Sequence, residues 1–469
     1  MRKLSLDYKE NVRYLSGALR VEESFDLLVK ALRVGDGELT LYYIDGFVKD
    51  TVMQKLMMHF LSVKKLPKSA FEFMVTNVPY VECDVTADVD VMIQALLSGA
   101  TLMLGSSFGA EAIIIDSRSY PARETDEPSG DRVMRGARDG FVETLIFNTS
   151  LIRRRIRDTS LTMTYLTVGS ESRCDVVVCY MKGKADTDYV DALVKKIRSI
   201  KTKSLSMGAQ SLAECLIRRR WYNPFPKVRM TERPDFTAAQ ILEGGVAIII
   251  DNSPEVILLP SSMFDFMQET NDFYFPPITG TYISLVRYAV FFMTLFVTPV
   301  WYLLLNYPEL IPNWLAFIQP ENMGRLPIIF QLFLVEFIID ALRLASSNTP
   351  DMLANSLSVV GGLILGDFAV DIGWLIPEVI LYMAFVAIAN FTQRSYELGY
   401  AFKFLRMFLL AVTAIFKFWG FVVGVVIILV LLATNKTVNG KRSYLYPLIP
   451  FDGRALASLL FRVKKKDFY

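Results

Sequence analysis

Residues 281–306 read TYISLVRYAVFFMTLFVTPVWYLLLN, and this stretch decides the fold of the C-terminal half. The run exceeds the roughly 20 apolar residues that cross a hydrocarbon core. Arg287 near its start is placed to snorkel to one interface, and Pro299 is placed to kink the helix. Working outward, LPIIFQLFLVEFIIDALRLA (326–345) is long enough for a second span. LSVVGGLILGDFAVDIG (357–373) and WLIPEVILYMAFVAIANF (374–391) nearly abut, and read as two spans, a re-entrant pair or one broken helix. FLRMFLLAVTAIFKFWGFVVGVVIILVLLATN (404–435) is long for one span and short for two. The spacing predicts an all-α polytopic membrane domain over 280–435 with four to six segments.

Five acids lie inside or at the ends of these runs: Glu336, Asp340, Asp367, Asp371 and Glu378. At the centre of a lipid-facing helix each costs roughly 2.5–3.5 kcal/mol, so they are expected to face protein or water. Glu336 with Asp340, and Asp367 with Asp371, are four apart and share a helix face. They are candidates for an ion path. The plainer alternative pairs Asp340 with Arg343 one turn on and leaves Asp371 and Glu378 at interfaces. Gly362 with Gly366, and Gly420 with Gly424, have the GxxxG spacing that lets helices approach closely. Arg394, Lys403 and Arg406 suggest a cytoplasmic loop, and Lys441, Arg442, Arg462 and Lys464–Lys466 a basic cytoplasmic tail over 436–469. Both hold only if the last apolar stretch folds back on itself, for example at Gly420, with arms of barely 15 residues by that reading.

Before about residue 275 the chain is charged and mixed, so the overall 52% hydrophobic content averages two unlike halves. The pattern there is α/β (α+β), read as two small subdomains, 1–130 and 131–275. In the first, 39–47 reads as a strand and turn, 47–60 as a helix, and 89–99 as a helix capped by Asp88 or Asp90. TLMLG (101–105) and EAIIID (111–116) read as strands. In the second, 141–157 reads as a helix, LTMTYLTVGS (161–170) and CDVVVCYMKG (174–183) as strands, and 186–200 and 211–220 as helices. The turn Asp251-Asn252-Ser253-Pro254 joins two further strands, and NPFPKVRMTERPD (223–235) reads as an extended, rigid connector. Arg153, Arg154 and Arg155 suggest either a headgroup-binding face or, with about twice the weight, a solvated helix face paired with nearby acids. Phe264, Phe266, Phe273, Tyr274 and Phe275 suit a water–bilayer boundary.

Catalytic chemistry is not indicated. His59 is the one histidine, and it has no serine or cysteine motif beside it. Gly105-Ser106-Ser107-Phe108-Gly109 lacks a phosphate-loop ending and reads as a turn. Cys174 and Cys179 point to opposite faces of a strand, which opposes a shared metal site, and the four cysteines read as reduced thiols. A net charge of +2 argues against nucleic acid. The N-terminus has no apolar core of a secretory signal, so the first domain is expected in the cytoplasm. No cofactor, metal or enzymatic activity is expected.

The blocks RVMRGARDGFVETLIFNTSLIRRRIRD (132–158), NPFPKVRMTERPD (223–235) and ILEGGVAIIIDNSPEVILLPSSMFDFMQ (241–268) resemble the GerA-type spore germination proteins of endospore-forming bacteria, A-subunit class. The segments 346–382 and 444–462 look closest to the family's stage V sporulation protein AF branch. The resemblance implies a protein of the spore inner membrane with its α/β subdomains on the core side. It also implies a homo-oligomer, pentameric in the family, working with a partner membrane subunit to conduct monovalent cations. It marks no individual pore residue. Membrane lipid is the other implied partner. The alternative is a non-conducting scaffold that docks germination proteins through the soluble domain.

Overall fold

The computed structural model describes residues 3–118, 133, 136–217, 223–269, 272, 274–322, 324–347, 369–393, 395–438 and 443–461. The chain forms two compact units: Met1–Arg218 with Val228–Ser261, and Arg219–Lys227 with Ser262–Tyr469. The expected boundary at 130/131 lies outside the described residues.

The first unit is a structural duplication. A leading helix α1 (Tyr8–Leu19) precedes a hairpin of β1 (Leu27–Val34) and β2 (Gly37–Ile44), then α2 (Asp50–Ser62), α3 (Ala70–Asn77), β3 (Cys83–Thr86), α4 (Val89–Leu97), β4 (Thr101–Gly105) and β5 (Ala112–Ile115). The second half repeats that order. It runs α5 (Leu145–Arg155), β6 (Leu161–Val168), β7 (Cys174–Met181), α6 (Thr187–Arg198), α7 (Gly208–Leu216), β8 (Arg229–Thr231), α8 (Pro234–Leu242), β9 (Val246–Ile250) and β10 (Val256–Leu259). Each sheet has five strands, ordered β1-β2-β4-β5-β3 and β6-β7-β9-β10-β8, with antiparallel pairing throughout. One side-chain device recurs as well. Asn11 of α1 exchanges two hydrogen bonds with the main chain of Ser5, and Asn148 of α5 does the same with Val142, each across six residues.

Local sequence explains the elements. Asp88 caps α4 through Asp90 N–H, and Asp186 caps α6 through Tyr189 N–H, which satisfies main-chain donors that a helix start leaves open. Central strands β4, β9 and β10 are buried throughout, as the unbroken apolar runs require. The 223–235 segment departs from the expected connector. Only 223–227 precede folded structure, Arg229–Thr231 is an edge strand, and Pro234 opens α8 at a first-turn position where its missing N–H is harmless.

The second unit is helical: α9 (Pro277–Leu305), α10 (Ile328–Ser347), a helical turn Ala369–Asp371, α11 (Pro377–Phe391), α12 (Tyr396–Thr434) and α13 (Gly453–Leu460). Among the described residues, α9 and α12 are long and apolar enough to cross a membrane. α12 is broken at Lys417, whose φ of 50° and ψ of −127° leave the helical region. Its two arms lie against each other. Gly424 packs where a Cβ would come within 2.6 Å of Leu409 Cδ1, and a Cβ at Gly420 would collide with Val412 O. The fold-back is therefore three residues before Gly420. Its arms, 396–416 and 418–434, are about 31 and 25 Å long at 1.5 Å per residue. Of the expected basic tail, Lys441, Arg442, Arg462 and Lys464–Lys466 lie outside the described residues, and 443–461 folds onto the unit. Tyr444 is fully buried, with its ring tilted against Phe225 and Phe266, and Leu459 and Leu460 join the same core, because this segment carries its own apolar face.

Candidate functional site

The helical unit gathers its charges between α9, α10 and α12. Glu336 and Asp340 stand one turn apart on α10, and Lys403 and Arg406 nearly one turn apart on the first arm of α12. Arg406 Nη2 donates to both Glu336 oxygens, at 2.8 and 2.7 Å, while Nη1 donates to Thr294 O of α9 at 3.1 Å. Lys403 Nζ lies 3.0 Å from Glu336 Oε1 and donates to the Asp340 carboxylate. Glu336, Lys403 and Arg406 are buried, and the Asp340 side chain is 32% exposed. Two acids meet two bases, so the cluster carries no net charge. Opposite charges at these distances offset the desolvation that an isolated ion in such a core would suffer.

This arrangement corrects two sequence expectations. Lys403 and Arg406 are not in a loop: they lie inside α12, where the helix needs them to neutralise α10. Asp340 takes Lys403, not Arg343, as its partner. Arg343 lies over the rings of Phe391, Tyr396 and Tyr400, with centroid distances of 4.9, 5.0 and 5.5 Å. A cavity of about 20 Å³ between these groups is lined by Asp340, Arg343, Asn390 and Lys403 among others. Sequence reasoning named the two bases as loop charges and did not pair them with the acids. The signal available was a basic pair three apart, on an apolar helix, matching an acidic pair four apart on another.

The other candidates are placed differently. Asp371 is exposed at the end of its helical turn, and Glu378 is half-buried in the first turn of α11, where the helix dipole favours an acid. Neither forms an ion pair among the described residues. Asp367, Gly362 and Gly366 lie outside the described residues. Gly420 and Gly424 sit at the contact between the arms of α12. Among the described residues, no group of three or more His, Cys, Asp or Glu is placed to hold a metal. Arg287 does not snorkel. It is buried, bonded to the Asp272 carboxylate, to Glu269 at 2.5 Å and to Met267 O at 3.4 Å, because the segment before α9 brings acids to it.

The α/β unit holds a second charge site. Arg153 is fully buried. Its Nε donates to Asp26 at 2.7 Å and its Nη2 to the other Asp26 oxygen at 3.0 Å, joining the two repeats. It also donates to Ser24 Oγ, Asp158 O and Leu161 O. The Arg153 side chain is therefore neither on a solvated face nor open to a headgroup, and Arg155 is spent on Asp139 and Leu151 O. Beside the pair, burial pushes the Cys179 thiol pKa far up, which matches an inert core thiol.

Residues 15–468 match the family model described as Bacillus/Clostridium GerA spore germination protein. Stage V sporulation protein AF of Bacillus subtilis (strain 168) is 36% identical over 97% of this chain and 92% of its own length. Spore germination protein KA of the same organism is 26% identical over 94% and 82%. Among solved structures, the N-terminal domain of the A subunit of the Bacillus megaterium spore germinant receptor GerK3 aligns with 55% of this chain and 96% of its own, at 21% identity and a TM-score of 0.42.

Proposed function

The chain belongs to the GerA spore germination protein family, and we propose that it is a channel-forming membrane subunit that passes monovalent cations during germination of the spore. One observation carries this reading: Asp371 and Glu378 are acids of an apolar helical unit that have no cation to pair with among the described residues. In a bilayer such groups require water or a mobile cation. Repeated around the axis of a homo-oligomer, they form a ring of the kind that selects cations. Asp367 belongs with them by spacing. Glu336 and Asp340 are assigned instead to holding α10 against α12, with Asp340 at the rim.

In this reading α9, α10, α11 and the two arms of α12 are the membrane segments, in the spore inner membrane and surrounded by its lipid. The α/β unit lies on the core side, and a partner membrane subunit completes the assembly. The protein is not an enzyme. The second reading, a non-conducting scaffold, is favoured by the complete neutralisation of Glu336 and Asp340, which is what purely interhelical contacts would look like. Reconstitution of the full chain with its partner subunit, followed by current recording in potassium and sodium gradients, separates the two. Cation current is expected; its absence under every gating condition leaves the scaffold.

A further inference from the structure

Arg343 is a cation of the helical unit that the acid–base cluster does not absorb. Glu336 and Asp340 are taken by Lys403 and Arg406. Among the described residues Arg343 makes no side-chain hydrogen bond and no ion pair; its contacts are the faces of Phe391, Tyr396 and Tyr400. Three rings around one guanidinium orient it and supply cation–π attraction, but they accept none of its five N–H donors. Arg343 is half-buried near the end of α10, so its N–H donors remain open to an anion from outside the chain.

The setting narrows the anion. Phe391 ends α11 and Tyr396 begins α12, so the rings flank the turn that joins two membrane helices, and both are exposed. Aromatic side chains at helix ends mark the headgroup level of a bilayer. The same turn contains Gln393, buried with neither its side-chain oxygen nor its nitrogen paired. A planar guanidinium backed by aromatic rings matches the oxygens of a phosphate in a two-bond fork. We propose that Arg343, stacked by Phe391, Tyr396 and Tyr400, binds the phosphate of an anionic phospholipid at the membrane surface. The site is independent of whether the protein conducts ions.

The test uses the full-length protein in detergent, titrated with phosphatidylglycerol, with an uncharged glycolipid of the same acyl chains, and with inorganic phosphate. Bound lipid is counted by native mass spectrometry. Wild type is expected to bind one phosphatidylglycerol roughly tenfold more tightly than Arg343→Gln, as one charge-assisted fork implies. The glycolipid should bind both alike. Phe391→Ala with Tyr396→Ala, which keeps the charge but removes its stacking, is expected to lose affinity several-fold. It also serves where Arg343→Gln fails to fold. Equal phosphatidylglycerol binding by wild type and a folded Arg343→Gln overturns the site. Displacement of the lipid by inorganic phosphate at equal concentration overturns the lipid as its occupant and makes it a free-anion site.

Discussion

Arg153 in the α/β unit and Arg406 in the helical unit are both buried arginines gripping a carboxylate with two bonds, yet their surroundings differ. Arg153 has main-chain acceptors from Asp158 and Leu161 and a hydroxyl from Ser24, because turns and strand starts leave carbonyls available. Arg406 reaches one carbonyl, Thr294 O of α9. Elsewhere in a helix the carbonyls are already bonded four residues on. The helical unit therefore neutralises its charges with other side chains, and one pair grows into a cluster of four. In the first unit a buried pair fastens two repeats; in the second it ties α10 to α12.

The largest expected effects test this contrast. Arg153→Met should cost about 3–5 kcal/mol, because it strands the buried Asp26 carboxylate, and Arg406→Met should cost less, about 2–3 kcal/mol, because Glu336 keeps Lys403. Thermal unfolding of the full chain measures both. The double variants should diverge. Glu336→Gln with Arg406→Met recovers most of the loss, whereas Asp26→Asn with Arg153→Met recovers less, since the buried Leu161 carbonyl loses the Arg153 donor. Equal recovery in the two units would break the comparison.

Next in size is Gly420→Val, expected to cost about 1–3 kcal/mol by forcing the arms of α12 apart at Val412. An introduced-cysteine crosslink between positions 409 and 424 should form in wild type and weaken in the variant. Lys403→Met should cost about 1.5 kcal/mol, less than Arg406→Met, because Glu336 keeps Arg406 and Asp340 is partly solvated.

How much of this was legible in the sequence depends on the range of the signal. Local patterns were readable. The cap at Asp88, the cap at Asp186, the hairpin at Asp251-Asn252 and the strands 101–105 and 174–181 all stand where residue type predicts them. The duplication was not readable, because the two halves share an order of elements while their residues serve different packing; Asn11 and Asn148 are the equivalent side chains that the repeats keep. In the helical unit the acids were conspicuous one by one, and their partners were hidden because Lys403 and Arg406 look like loop charges until α10 and α12 are brought together. The burial of Tyr444 was hidden for the same reason.

The smallest effect concerns pH in the α/β unit. Burial raises the pKa of half-buried Asp45, with Asp50 adding repulsion and Gly46 N–H opposing it. A carboxyl whose folded pKa lies above its unfolded value stabilises the fold when protonated. That contribution is lost as pH rises from the ordinary carboxylate range through the raised value. Asp45→Asn should therefore flatten this part of the stability–pH curve and be neutral to slightly stabilising at pH 7. Unfolding midpoints across pH 4–7 would read the difference, and an unchanged slope would contradict it.

The most direct test of the central claim compares the paired and unpaired acids in one recording. The full chain is reconstituted with its partner subunit under a potassium gradient, and the reversal potential is measured for wild type, for Asp371→Asn with Glu378→Gln, and for Glu336→Gln with Arg406→Met. The account predicts a cation-selective current in wild type, a reversal potential shifted toward zero in the first variant, and selectivity kept in the second. No current in wild type, or selectivity unchanged when Asp371 and Glu378 are neutralised, would contradict it.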